Sequence, residues 1–156
     1  MSPKRILVSI DFSDVTGAVI EEARQLARAR QARIRLIHVC RDCHRTGGME
    51  FDLAEQVRAG QAQNEAHREQ LARYAQQLRR HGVPTEVRFA VGDPRRALLE
   101  AAHEDNPLAV VIGAHPSGRL HDVLSNGIRR SLLRERAWPV LIVPAGRLRG
   151  NRRSTR

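Results

Sequence analysis

The chain has 156 residues, 41% of them hydrophobic and 3% aromatic, with 27 basic against 17 acidic side chains and a formal net charge of +10. Such a length fits a single domain able to bury about 70% of its unfolded surface, and no apolar run approaches the roughly 18 residues of a membrane span. Phe12, Phe51, Phe89, Tyr74 and Trp138 are scattered through the sequence with no pattern of a stacking platform, and no helix-turn-helix or zinc-finger spacing occurs, which argues against nucleic-acid recognition.

Lys4 and Arg5 lead into a short apolar run rather than the long one of a secretory leader, so a soluble, cytoplasmic protein without a membrane partner is expected. Arg5–Ile10 reads as a continuous apolar strand. Residues from Asp14 to Arg30 carry helical periodicity through Val15, Ala18, Val19, Ala23, Leu26 and Ala27, and Ile34–Val39 is a second strand. A Cys/Gly loop runs to about Phe51. A long polar helix follows, Leu53–His81, with Leu71, Tyr74, Ala75 and Leu78 as its inner stripe and Gly82 and Pro84 as its stop. Charge pairs such as Glu69–Arg73 mark a solvated face, with partner docking as the alternative.

Thr85–Val91 is the third strand. Pro94 opens a helix whose inward face holds Leu98, Leu99 and Ala102, and Leu108–Ile112 is the fourth strand. After Gly113 comes a polar loop, a helix-start signal at Ser125-Asn126-Gly127, and a last apolar strand, Val140–Val143. Apolar strands alternating with helices imply strands covered on both faces, the pattern of a doubly wound parallel α/β sheet. The domain is expected to span 1–146. Residues 147–156, RLRGNRRSTR, hold five arginines and no acid, and read as a disordered tail or as the contact for an anionic partner.

Cys40-Arg41-Asp42-Cys43-His44 has the C-x-x-C-H spacing of covalent haem attachment, but that chemistry needs an exported, oxidising setting. A redox thiol pair, a metal site using Cys40, Cys43 and His44, and chance placement in a reduced loop are the other readings, and chance placement is preferred.

KRILVSIDFS, ARIRLIHV, AVGDPRRALLEAA and WPVLIVPA together resemble the universal stress protein family over nearly the whole chain. The resemblance implies a five-stranded sheet in the order 3-2-1-4-5, helices on both faces, and a ligand cleft at the carboxyl ends of strands one and four. It also implies that Asp11 contacts the adenosine part of bound ATP, that the backbone at Val39 meets the adenine, and that His115 lies near the phosphates. A second reading of Asp11 is local: with Ser13 or Asp14, it caps the following helix.

The family's phosphate motif, G-x2-G-x9-G-[ST], starts at Gly113 and then departs: Pro116, Asn126 and Gly127 occupy the next three motif positions. Proline donates no N–H and fixes φ. Asn126 can adopt a left-handed conformation, and Gly127 with Ser125 as N-cap leaves an open helix start, so an AMP-like or sulfate-like anion is still accommodated. No Walker loop, metal-holding carboxylate–lysine set or nucleophile elbow is present, and no enzymatic activity is expected.

These readings converge on a non-enzymatic, cytosolic stress-response homodimer that contacts an unidentified protein client and has weakened or lost ATP binding, with no cofactor expected. An AMP- or ATP-binding sensor using Asp11, Val39, Gly113, His115, Asn126 and Gly127 is the alternative, and a thiol regulator using Cys40 and Cys43 is the outside one. The last strand, Pro139–Val143, is an apolar edge that needs covering, and two prolines bound it. Pairing with a second copy satisfies it, and the family resemblance implies the same pairing.

Overall fold

The computed structural model describes residues 4–40, 53–114 and 122–146. Nine elements alternate along them: β1 (Arg5–Ser9), α1 (Thr16–Arg30), β2 (Arg33–Cys40), α2 (Leu53–Arg80), β3 (Thr85–Val91), α3 (Pro94–Asp105), β4 (Ala109–Ala114), α4 (Asp122–Glu135) and β5 (Val140–Pro144). The strands form one sheet in the order β3-β2-β1-β4-β5, and every neighbouring pair is parallel. This is the doubly wound sheet expected from the sequence.

Side-chain alternation along the central strands divides the core between the two faces. Ile6, Val8, Ile34 and Leu36 meet α1 and α2 through Val19, Ala23, Leu71, Ala75 and Leu78. Leu7, Ile37, Val110 and Ile112 meet α3 and α4 through Leu98, Ala102 and Leu132, with Trp138 alongside. Ile6, Leu7 and Val8 have no exposed surface at all. Each such side chain contributes about 1.5–3 kcal/mol by leaving water, so the centre of β1 has no face on which a polar residue is tolerated.

Helix ends follow local chemistry, with two departures from the sequence reading. Asp93 caps α3 by accepting the Arg96 N–H at 2.8 Å, and Pro94 fills the first turn where its missing N–H costs nothing. α1 has no such cap: its N-cap position is Val15, with no side-chain bond. Asp11, Ser13 and Asp14 thus precede the N-cap position itself. α4 begins at Asp122, earlier than the expected start at Ser125, so Asn126 and Gly127 lie inside the helix. The basic tail, 147–156, lies outside the described residues.

At the amino ends of the strands a charge network ties three strands to α3. Asp105 Oδ1, on a side chain only 2% exposed, accepts from Arg5 at 2.7 Å and from Arg35 at 2.6 Å, and Arg35 also reaches Glu86 at 2.9 Å. Removing the buried carboxylate leaves two guanidinium groups facing each other without it. Asp105→Ala should cost about 3 kcal/mol in urea denaturation; a loss below about 1 kcal/mol would place the network among ordinary surface pairs.

Candidate functional site

In this strand order β1 sits between β2 and β4, and the chain reverses its direction of travel across the sheet there. Ligands of open α/β sheets bind outside the carboxyl ends of the strands at such a switch point. The register sets Ser9 opposite Ile37 and Val8 opposite Val111, which carries Asp11, Val39 and Gly113 to that same end. Three of the sequence-predicted residues are thereby brought together. The Val39 side chain packs against the α3/α4 core, so only its backbone is available for a ligand role.

The turn after β1 is built around Asp11. Its Oδ1 accepts from the Ser13 N–H at 3.1 Å and the Ser13 hydroxyl at 2.5 Å, with the Thr16 hydroxyl at 3.4 Å. Asp11 is exposed. Its neighbour Phe12 is held at φ 57°, a left-handed conformation that costs a phenylalanine roughly 1–3 kcal/mol. What offsets that cost is the ring's position: Phe12 stacks on His67 at 4.7 Å between centroids, lies 4.5 Å from His38, and is 6.5 Å from Tyr74. Such contacts are worth about 0.5–1.5 kcal/mol each.

This cluster corrects the reading of the aromatic residues as scattered. Phe12, Tyr74 and Phe89 converge with His38 and His67 on the α1/α2 side of the sheet, and Arg68 lies 4.1 Å over the Phe89 ring. Their faces are occupied by one another, which leaves the argument against base stacking in place. A signal was present in the sequence: His38 is the one titratable side chain among the apolar residues of Ile34–Val39 that lie on this face.

His38 is 7% exposed, and its Nδ1 lies 2.7 Å from the Ile10 carbonyl. A carbonyl only accepts, so Nδ1 carries the proton and donates it, which leaves Nε2 as a buried lone pair with no described protein partner. Burial pushes the His38 pKa below its ordinary value; the Ile10 bond opposes this, His67 adds to it, and Asp11 opposes it. The folded state therefore holds His38 neutral. The resulting stability is fully present above the unfolded pKa of about 6.5 and is lost as pH falls through the lower folded value. Melting temperature should drop on acidification from about pH 7.5 to about pH 5, and His38→Phe should flatten that drop. An unchanged slope in His38→Phe would show that other groups carry it; Glu21, held down to about 2 by Arg24 and Gln25, stays ionised throughout.

On the phosphate side, Ser125, Asn126 and Gly127 depart from the sequence expectation. A Cβ on Gly113 would sit 3.1 Å from Val15 Cγ1 and 3.3 Å from Val19 Cγ2, so the approach of β4 to α1 already explains this glycine. Asn126 is helical rather than left-handed, and the Gly127 N–H lies past the first four donors of α4, where the helix uses it internally. Ser125 is likewise within the helix and is not its N-cap. For a helix that begins at Asp122, the N–H groups without an intrahelical acceptor are those of its first turn, ahead of Ser125. His115 and Pro116 lie outside the described residues.

Cys40 ends β2, while Cys43 and His44 lie outside the described residues. Among the described residues, no group of three or more His, Cys, Asp or Glu is placed to hold a metal ion, and no helix is long and apolar enough to cross a membrane.

The sequence profile of the Universal stress protein family matches residues 3–144. Universal stress protein YxiE of Bacillus subtilis (strain 168) is 25% identical over 144 residues, covering 89% of this chain and 97% of that protein. A crystal structure of a family protein from Burkholderia pseudomallei is 26% identical, with a TM-score of 0.66 over 91% of this chain and 96% of that one. The structure of the universal stress protein from Archaeoglobus fulgidus in complex with dAMP is 21% identical, with a TM-score of 0.63 over 92% and 99% of the two chains. Fold, strand order and sequence agree: the chain belongs to the Universal stress protein family.

Proposed function

We propose that this stress protein acts in the cytoplasm as a non-enzymatic homodimer that contacts a protein client, with its ATP site reduced to the nucleoside end. The observation that carries this reading is the start of α4 at Asp122, which takes Asn126 and Gly127 into the helix and away from a ligand. Gly113 is accounted for by packing against Val15 and Val19, and Pro116 has no N–H to give. Asp11 keeps an exposed position at the switch point. Among the described residues, the exposed Asp11 at the switch point supports the nucleoside half of the site.

Losing one or two hydrogen bonds to charged phosphate oxygens, each worth roughly 1.5–3 kcal/mol, weakens binding by about tenfold to several thousandfold. Titration calorimetry with ATP should show no micromolar binding by the native chain, and the combined Pro116→Gly, Asn126→Gly and Gly127→Ser variant should gain it. Micromolar ATP binding by the native chain would contradict the proposal. An AMP-binding sensor is the second reading, favoured by the dAMP complex of the Archaeoglobus relative and by the anion-attracting end of α4 at residues 122–125.

Dimerisation is proposed through β5. This strand is an edge of the sheet, with Ile142 36% exposed, and Pro139 and Pro144 confine its open ladder to about four residues. Short bounded edges suit closed pairing about a two-fold axis. Ile142→Lys should shift sedimentation from dimer to monomer, whereas Val87→Lys on the opposite edge strand β3 should not. A native chain that sediments as a monomer on the order of tens of micromolar would refute the assignment.

A further inference from the structure

The carboxyl-terminal half of α4 carries the sequence IRRSLLRE, Ile128 to Glu135, with Arg136 directly after it, and the helix divides it sharply. Leu132 is 1% exposed and fills the core, while Leu133 beside it is 55% exposed. A lone surface leucine is ordinary; what singles this one out is its surroundings. Arg130, Leu133, Arg134 and Arg136 line one shallow hollow of about 520 Å³. Arg130 lies three residues before the leucine on its own helical face, and Arg136 follows the end of the helix with a left-handed backbone, φ 50°.

Two carboxylates border this face. Glu100 accepts from Arg96 at 2.7 Å, and Glu135 lies 3.5 Å from His103. Among the described residues no carboxylate forms an ion pair with Arg130, Arg134 or Arg136. A second hollow of about 470 Å³ shares Arg134 and continues between α3 and α4 past Leu99 and Arg95. Together the two hollows are lined by five arginines, Arg95, Arg96, Arg130, Arg134 and Arg136, against two carboxylates, Glu100 and Glu135.

We infer that this α3/α4 face docks an acidic protein segment in which carboxylates flank an apolar side chain. Guanidinium groups pair with carboxylates as planar forks, and the apolar side chain covers Leu133. A nucleic-acid backbone satisfies the arginines but leaves Leu133 in water. Pairing of this face with the same face of a second copy would bring like-charged arginines together. The inference rests on the client-contacting reading above and gives that client's chemistry. Nucleotide binding and dimerisation are read by separate measurements, so either can fail without the other.

The test is fluorescence anisotropy at low and moderate salt with three probes: a labelled Glu-rich peptide carrying one central leucine, the same peptide with serine in its place, and a labelled DNA duplex of equal net charge. The leucine peptide should bind about tenfold tighter than the serine peptide. Arg130→Glu with Arg134→Glu should abolish that binding, and Leu133→Ser should erase the difference between the two peptides while leaving the salt dependence intact. Thermal melts confirm that both variants are folded. Duplex DNA binding tighter than the leucine peptide would overturn the inference, as would equal affinity for the two peptides or binding unaffected by the arginine substitutions.

Discussion

Complete burial of Ile6, Leu7 and Val8 at the centre of β1 is the constraint on which the rest of the molecule depends. A parallel strand with Ile6, Leu7 and Val8 wholly out of water needs a strand on each edge and helices on each face. The chain supplies these by winding outward from β1 in one direction, through β2 and β3, and then crossing to β4 and β5 on the other side. Right-handed crossovers then place α1 and α2 on one face and α3 and α4 on the other. The switch point beside β1 follows from this winding.

The turn leaving β1 turns that constraint into a site. Its backbone is strained at Phe12, and the strain is held by a ring packed among His38, His67 and Tyr74. α2 therefore helps to fix the position of Asp11 without touching the cleft through any residue the family resemblance names. His38 joins the same arrangement to β1 by bonding the Ile10 carbonyl. Acid sensitivity at His38 and the placement of Asp11 are coupled through one turn.

Much of the fold was legible because its signals are local and redundant. Continuous apolar strands, the Pro94 helix start and the Gly82 stop each name an element boundary without help from distant residues. The α2 inner stripe of Leu71, Tyr74, Ala75 and Leu78 needed only helical periodicity. Site details were less legible, because they depend on contacts between residues far apart in sequence. The contact of Gly113 with α1 and the bonds of Asp11 to Ser13 and Thr16 are examples that spacing alone does not reveal. Ser125-Asn126-Gly127 has good N-cap chemistry, yet α4 starts a turn earlier and overrides it. The aromatic cluster was hidden because Phe12, Tyr74 and Phe89 share no sequence spacing.

The central claim is that this member keeps the nucleoside end of the family's cleft and lacks its triphosphate end. It is tested most directly by comparing adenosine, AMP and ATP on one preparation by titration calorimetry. The account predicts that affinity does not rise from AMP to ATP, because the added phosphates meet no additional donors. ATP binding at least about tenfold tighter than AMP, a gain of about 1.4 kcal/mol from the added phosphates, would contradict it.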